Sequence, residues 1–341
     1  MTEGLCKHTD RRGRRSLQGQ QVALLANSTK RLVGVANRLP FARRCAIMLL
    51  YFTKGQITMK NNRIASIVYV LVAYVVATVV GVLVYKKLSF PIAYSLLVAD
   101  VVATIVVFAF GCIVGNASVY DPYWSVQPLI IGVAMFSTYG ISPLSLMMFA
   151  VVFVWGVRLT GNWLHEFHDL TYQDWRYTML AQKTKFFYPV VNFLGIHLVP
   201  TLVVWGCVLP LVDAIVYRLE LNVFSVVFVV LGLGAVVLQT VADVQMHKFR
   251  KNRTSTFMRQ GLWKYSRHPN YLGEICLWWC MALACVCAHP SMWYLCAGAL
   301  ANTMLFAFVS IPMADGRQSK KPGWDSYKKQ TRALLPIYKK Q

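Results

Sequence analysis

The sequence has few charged residues and very few acidic ones. Only 14% of its 341 residues are charged, and 13 acidic residues stand against 35 lysines and arginines. Hydrophobic residues make up 57% of the chain, and the mean hydropathy is +0.48. Soluble domains seldom combine so much apolar with so little charged composition. The composition therefore excludes an ordinary soluble domain and indicates an integral membrane protein.

The nine cysteines have no spacing typical of a zinc site or a redox motif. Four of them, Cys276, Cys280, Cys285 and Cys287, lie within or beside one apolar run. Free cysteine often behaves as a small buried hydrophobic residue. We therefore expect these cysteines to pack in the core, and we predict no metal site.

Apolar stretches approaching or exceeding the roughly 20 residues that cross a bilayer recur along the chain. They cover residues 64–85, 92–115, 126–139, 144–157, 190–217, 223–242, 271–288 and 292–313. In lipid only helices and closed barrels satisfy the backbone, and most of these runs are too long for barrel strands. We predict an all-α, polytopic integral membrane helical bundle of about eight transmembrane or re-entrant helices, the third and fourth being the short ones.

The basic residues lie in the connections between the apolar stretches. They concentrate in residues 1–63, 158–185, 247–267 and 315–341. Lysine and arginine accumulate in cytoplasmic loops, and eight spans place all four segments on one side. This pattern predicts cytoplasmic N- and C-termini and explains the net charge of +22 without nucleic acid. Lys86 and Lys87 fall on the other side and do not fit.

The beginning of the chain is a basic extension outside the apolar domain. It is rich in arginine and poor in acids, which resembles a mitochondrial transit peptide. A disordered basic tail, or an upstream extension with a working start at Met59, explains it equally well. We predict an N-terminal extension over residues 1–62 and one helical membrane domain over residues 63–341.

A polar stripe ends the sixth apolar stretch. Gln239, Asp243, His247 and Arg250 are spaced by four, four and three residues, so they share one face of a helix. A carboxylate and a cation on such a stripe suit the ribose hydroxyls and phosphates of a nucleotide. A helix end at which Asp243 pairs with a neighbouring basic residue explains the stripe as well. The following loop, which contains Arg253, fits either a polyphosphate or anionic headgroups.

The segment GLWKYSRHPNYLGEICLWW, residues 261–279, begins polar and basic and ends apolar. If a helix starts near Pro269, Asn270 and Glu274 lie on one face. Gly273 would let a ligand or another helix approach the backbone closely. A helix that only enters the membrane does not need so many hydrogen-bonding groups at its start. We therefore interpret these polar side chains as ligand-binding residues. The group also includes Arg267, His268 and Tyr271.

Tyr120, Asp121 and Tyr123 lie in a proline-interrupted junction between two spans. A phenol can protonate a carbonyl oxygen as an enolate forms, while a nearby carboxyl orients the phenol. An interfacial aromatic belt explains the tyrosines almost as well. The carboxylate of Asp121 favours the catalytic interpretation.

The segment 261–274 resembles the C-terminal signature of the steroid 5-alpha-reductase-like superfamily of membrane enzymes. The likeness rests on Gly-Leu-Trp at 261–263 and on Ser-Arg-His-Pro-Asn-Tyr-Leu-Gly-Glu at 266–274, and it covers about residues 64–337. It is strongest to a largely uncharacterised branch with a steroid 5-alpha-reductase-like C-terminal domain. Supporting matches lie at residues 118–125, 158–163, 174–177 and 321–336.

The resemblance implies an NADPH pocket that faces the cytoplasm among the C-terminal helices. The family often has asparagine where this chain has Gln239. Relatives often have Met-Glu before a basic residue, where this chain has Met313 to Arg317 with a shifted Asp315. Because the family needs no metal, we interpret residues 162–177, which contain two histidines, as a polar loop that closes over the cofactor. The matching cofactor positions are Asp243, Arg250, Asn270, Glu274 and Tyr327.

We expect an NADPH-dependent membrane reductase that saturates an activated C=C bond of a lipid or steroid-like substrate entering from the bilayer. Arg250 and Arg253 favour NADPH over NADH, since they suit a ribose phosphate. One alternative is an S-adenosylmethionine-dependent methyltransferase of the isoprenylcysteine or phospholipid type, which shares an Arg-His-Pro-x-Tyr string like residues 267–271. Another is a non-catalytic lipid-binding membrane protein, for which the departures at Gln239 and near Asp315 are the support.

Overall fold

The computed structural model describes residues 59–253 and 255–336. The chain divides into two compact units, Met1–Ser66 and Ile67–Gln341. The predicted extension lies outside the described residues up to residue 58, and its boundary stays a prediction. The main helices are α1 Arg63–Lys87, α2 Ile92–Val114, α3 Tyr123–Tyr139, α4 Pro143–Glu166, α5 Trp175–Thr184, α6 Val199–Val216, α7 Val223–Lys251, α8 Pro269–Ala288, α9 Cys296–Leu305, α10 Ile311–Gln318 and α11 Trp324–Gln330.

Within the described residues, seven helical segments are long and apolar enough to cross a membrane. The predicted all-α polytopic bundle is therefore confirmed. The predicted short stretch 144–157 is the middle of the 24-residue α4, whereas the stretch 126–139 lies in α3, which has only 17 residues. The seven segments are Arg63–Lys87, Ile92–Val114, Pro143–Glu166, Trp175–Val216, Val223–Lys251, Pro269–Ala288 and Pro290–Gln318.

Local sequence signals set several helix ends. Gly115 closes α2 in the left-handed region with φ 61°, where glycine is favoured. Asn222 and Ser225 form a reciprocal capping box at the start of α7. Before α6 the helix widens into a π-helical segment, Asn192–Leu198, a geometry often found at functional sites.

Three connections and the C-terminal segment lie together at what we term the polar end, which comprises residues 115–122, 167–174, 252–253, 255–268 and 319–336. Asn116 donates a 2.8 Å hydrogen bond to the Leu170 carbonyl, which joins the first two. The backbone N–H groups of Arg267 and His268 donate to residues 332 and 333, which joins the last two. Basic residues of three predicted segments thus collect at one end of the bundle.

The opposite end is made of short turns. Arg218 donates to the Tyr139 carbonyl, and Asn222 donates to the Cys287 carbonyl at 2.8 Å. Tyr85 lies beside Tyr139, which places the end of α1 with Lys86 and Lys87 at this end. This position agrees with the count of eight spans, which placed the two lysines on the side opposite to the other basic segments.

Helices α7 and α8 pack closely where glycine replaces a side chain. A Cβ added to Gly273 would lie 2.5 Å from Cγ of Gln239 and 2.7 Å from the Ala235 carbonyl oxygen. The predicted close approach to Gly273 is therefore made by another helix. Further along the pair, a Cβ at Gly232 would lie 2.7 Å from Cε of Met281. The buried apolar core around this pair also includes side chains of α3, α4 and α6.

We expect Gly273→Ala to lower the free energy of unfolding by about 1–3 kcal/mol, because the added methyl group meets a backbone oxygen that cannot move aside. Gly234→Ala in α7 is the matched control. It has open space around it, so the gain in helix propensity should leave stability unchanged or raise it by up to about 1 kcal/mol. Unfolding of both variants in detergent checks this, and equal stabilities would contradict the packing argument.

Candidate functional site

Arg158 joins three helices near the polar end. Its Nη1 donates to Oδ2 of Asp243 at 2.5 Å, and its Nη2 donates to Oε1 of Gln239. The same Nη2 lies 3.9 Å from Oε2 of Glu274. Only 10% of the Arg158 side chain is exposed. A buried charge of this kind needs partners, and α7 and α8 supply them.

The carboxylate of Glu274 is held by two indole rings. Nε1 of Trp155 donates to both oxygens at 2.8 and 3.0 Å, and Nε1 of Trp278 donates to Oε1 at 2.8 Å. The two rings pack edge to face with centroids 4.9 Å apart. Glu274 is buried with both oxygens occupied by protein donors. Its geometry suits positioning of Arg158, and direct contact with a cofactor stays a prediction.

A cavity of about 160 Å³ opens beside Arg158 between α4 and α7. Two buried donors in this region, Nε of Arg158 and Nε2 of Gln239, have no hydrogen-bond partner among the described residues, and neither has the buried Oδ1 of Asn270. Unmade buried hydrogen bonds are costly. The cavity is lined by Arg158, Asn162, Thr240, Asp243, Val244, His247 and Lys248.

The predicted stripe on α7 is distributed around this cavity. Asp243 and His247 line it, and Asp243 also accepts a 2.7 Å hydrogen bond from Asn162. Arg250 lies at the rim, ion-paired with Glu166. The rings of His165 and His247 stack 5.2 Å apart, so the histidine-rich segment contacts the stripe. Arg253 lies beyond the end of α7 and is exposed.

Arg267 and His268 attach the C-terminal segment to the start of α8. Nη2 of Arg267 and Nε2 of His268 each lie 2.9 Å from a carboxylate oxygen of Asp315. Nη1 of Arg267 also donates to the Thr331 carbonyl at 2.5 Å. Tyr327 donates to the backbone carbonyl of Trp263. These contacts give the predicted binding residues a folding role, and their contact with a cofactor stays a prediction.

Tyr271 lies between the two polar clusters. Its ring stacks parallel to that of His268 with centroids 5.1 Å apart. Its phenol is within electrostatic range of Asp243, Asp315 and Arg176. The α7 stripe, the Arg267 cluster and the start of α5 therefore surround one aromatic residue at the polar end.

The rings of Tyr120 and Tyr123 lie 5.5 Å apart, but the three predicted catalytic residues hydrogen-bond to different partners. Tyr123 donates to Oδ1 of Asp100 at 2.9 Å, whereas the Tyr120 hydroxyl lies 2.8 Å from Oγ1 of Thr201. Asp121 accepts a 2.5 Å hydrogen bond from Tyr177. Each residue of the trio therefore faces a different partner.

Asp100 is a candidate that the sequence reasoning missed. It is 5% exposed in the middle of α2, and Nε2 of Gln127 donates to its second oxygen at 2.6 Å. The available signal was a single carboxylate inside an apolar span, which marks a functional candidate by default. Trp124, next to Tyr123, packs against Trp155 with ring centroids 5.9 Å apart. Two consecutive residues of α3 thus contact the Asp100 carboxylate and the Trp155 ring of the Glu274 cluster.

Burial raises the pKa of Asp121 to about 6, and the nearby Arg176 charge and the Tyr177 hydrogen bond offset part of that effect. The Tyr120 phenol, also buried, has its pKa raised from the ordinary value. The pKa of Asp121 is thus closer to neutral pH than that of an ordinary aspartate.

A protein-family model described as "Protein of unknown function (DUF1295)" matches residues 107–331. The match contains the Arg158, Glu274 and Arg267 clusters and the Tyr120–Tyr123 junction, and Asp100 lies outside it. No curated protein and no solved structure matches the chain.

Removing the charge of Arg158 should destabilise the bundle strongly. Arg158→Met leaves Asp243 buried without its cation, and we expect a loss of about 3–5 kcal/mol in the free energy of unfolding. Adding Asp243→Asn should recover part of the loss, because it removes the unmatched charge. A double-mutant cycle measured by unfolding in detergent tests the coupling, and strictly additive effects would contradict it.

Acidification should stabilise the protein through Asp121. The folded pKa of about 6 exceeds the ordinary 3.8, so between these values the folded state keeps a proton that the unfolded state releases. Its contribution to the free energy of unfolding falls as pH rises through this window and is constant above it. We expect a gain on the order of 1 kcal/mol from about pH 7 to about pH 5, absent in Asp121→Asn. Identical pH profiles of the two proteins would refute the assignment.

Proposed function

We propose that this chain, which belongs to the DUF1295 family of proteins of unknown function, is an NADPH-dependent membrane reductase that saturates an activated C=C bond in a lipid-like substrate. The observation that carries the proposal is the polar cavity beside Arg158, whose Nε has no partner among the described residues, together with the buried pair of Tyr123 and Asp100. The resemblance of residues 261–274 to the reductase signature supports the same activity.

The residues around the cavity fit a cofactor that presents many acceptor oxygens. The unpartnered Nε of Arg158 and Nε2 of Gln239 are donors, and phosphate, ribose and carboxamide oxygens are the groups that they would bind. Oδ1 of Asn270 would accept from an amide or a hydroxyl. A volume of about 160 Å³ is below the roughly 300–1,000 Å³ of sites that enclose whole small molecules. The cavity would therefore hold one end of the dinucleotide.

The positive charge of the polar end favours NADPH over NADH. Lys248 lines the cavity, and Arg253 lies just past the end of α7. Arg250 shares its charge with Glu166, so the unshared cations are the better partners for a ribose phosphate. The same charge, by the positive-inside rule, leads us to place the polar end and the C-terminus in the cytoplasm.

When bound, NADPH supplies a hydride. The chain itself would supply the hydrogen bond and the proton on the oxygen side of the substrate. In the structure the Tyr123 O–H donates to Asp100, so the phenol is free to donate to a substrate only when Asp100 carries a proton and donates to the phenol oxygen. A phenol placed in this way stabilises a developing enolate oxygen, and the buried setting strengthens that interaction.

We expect NADPH to raise the thermal stability of the purified protein, by about 2.7 kcal/mol at a concentration one hundred times its dissociation constant. NADH should need higher concentrations, and S-adenosylmethionine should have no effect. Asn270→Ala should weaken NADPH binding by roughly tenfold or more, since a donor group of the bound cofactor loses its acceptor.

The matched control is Asn302→Ala, another buried amide with an unpartnered atom, which lies in α9. It should leave the affinity for NADPH unchanged. Stabilisation by S-adenosylmethionine alone would replace the reductase with a methyltransferase. A lack of response to all three compounds would favour a non-catalytic lipid-binding protein.

A further inference from the structure

A row of hydroxyl groups leads from Asp100 across four elements of the bundle. The Tyr123 hydroxyl donates to Asp100 and is also within side-chain hydrogen-bonding reach of Thr104. Oγ1 of Thr104 lies 2.9 Å from Oγ1 of Thr201, which lies 2.8 Å from the Tyr120 hydroxyl. The row therefore runs from the middle of α2 to the 3₁₀ turn that precedes α3.

The two threonines of this row bond differently from three other helical threonines of the chain. The hydroxyls of Thr184, Thr240 and Thr303 each donate to the carbonyl four residues earlier at 2.8 Å, the usual local bond of a helical threonine. Thr104 and Thr201 instead bond to each other across α2 and α6, and both are almost fully buried. Because a hydroxyl can donate and accept at once, such a row can pass a proton along.

The outer end of the row lies close to a partly exposed carboxyl group. Tyr120 is within electrostatic range of both Asp100 and Asp121, and Asp121 is partly exposed at the polar end. The ring of His197 stacks on Tyr120 with centroids 4.7 Å apart. Its Nδ1 donates to the Asn192 carbonyl, which leaves the fully buried Nε2 as an acceptor without a partner. The acceptors beside Tyr120 thus continue the polar path.

We infer that Thr104, Thr201 and Tyr120 form a proton relay that connects the Asp100–Tyr123 pair with water at the polar end. In each cycle Tyr123 would give its proton to the substrate and receive one from Thr104. Thr104 would take one from Thr201, Thr201 from Tyr120, and Tyr120 from water at the polar end. One proton passes from water to the substrate, and no residue is oxidised or reduced. Only this use in catalysis rests on the proposed reductase.

The relay can be tested on the full chain in detergent without cofactor or substrate. Infrared spectroscopy in mildly acidic buffer follows the carboxylic acid band of Asp100, which is assigned by its loss in Asp100→Asn. After transfer to D₂O we expect this band to shift quickly in the wild type. Thr201→Val should slow the shift by about tenfold or more, since it removes one hydroxyl at nearly constant shape.

Thr201→Ser keeps the hydroxyl and should restore fast exchange, which a role in packing alone would not predict. Thr184→Val removes a hydroxyl that bonds to the Leu180 carbonyl of its own helix, α5, and should match the wild type. If Thr201→Val does not fold, Thr104→Val and Tyr120→Phe interrupt the same row. An unchanged rate in the folded variants, or the absence of an exchanging acid at Asp100, would overturn the relay.

The two proposals fail separately in these experiments. Relay-dependent exchange without any response to NADPH would reject the reductase and keep the relay. Stabilisation by NADPH, together with an exchange rate of the Asp100 acid that is unchanged in Thr201→Val, would reject the relay and keep the reductase.

Discussion

The buried charge of Arg158 is the interaction on which the polar end depends. It draws Asp243 of α7 and Glu274 of α8 toward one residue of α4. One cation faces two acids, so the remaining negative charge must be stabilised by neutral donors. Trp155 and Trp278 donate to Glu274, and Asn162 donates to Asp243. Because removal of Arg158 would leave two buried acids without a cation, this one residue holds the three helices as one unit.

Close backbone packing and the charge network reinforce each other. Gly273 lets α8 approach Gln239 so closely that a single methyl group would not fit, and the amide of Gln239 accepts from Arg158. A wider helix spacing would move Gln239 and Asp243 away from the guanidinium. The close packing of α7 and α8 therefore fixes the positions of groups beside the Arg158 cavity. Such preorganisation is what a binding site needs in order to hold a polar ligand without rearrangement.

The sequence predicted the fold because bilayer thickness sets the length of apolar stretches, and it predicted the α7 stripe because helical spacing is local. It could not predict contacts between helices. Arg158 and Asp243 are 85 residues apart, and Trp155 and Glu274 are 119 apart, so no spacing rule brings them together. The same limit explains why Tyr120, Asp121 and Tyr123 looked like one group although their partners come from separate helices. Asp100 left a local signal, a carboxylate in an apolar run, but its phenol partner became evident only in three dimensions.

The protein contains two polar environments of different character. The Arg158 cavity combines charges with unpartnered donors near the basic connections. Asp100, in contrast, is surrounded by side-chain amide and hydroxyl groups and is almost fully buried. A proton donor that is buried in this way cannot take up a new proton directly from bulk water. If Asp100 and Tyr123 serve a reaction, their protons must come through protein groups. The hydrogen bond between Thr104 and Thr201, which joins two helices, provides such a route. A helical threonine commonly bonds to a carbonyl of its own helix instead, and such a bond would not provide this route.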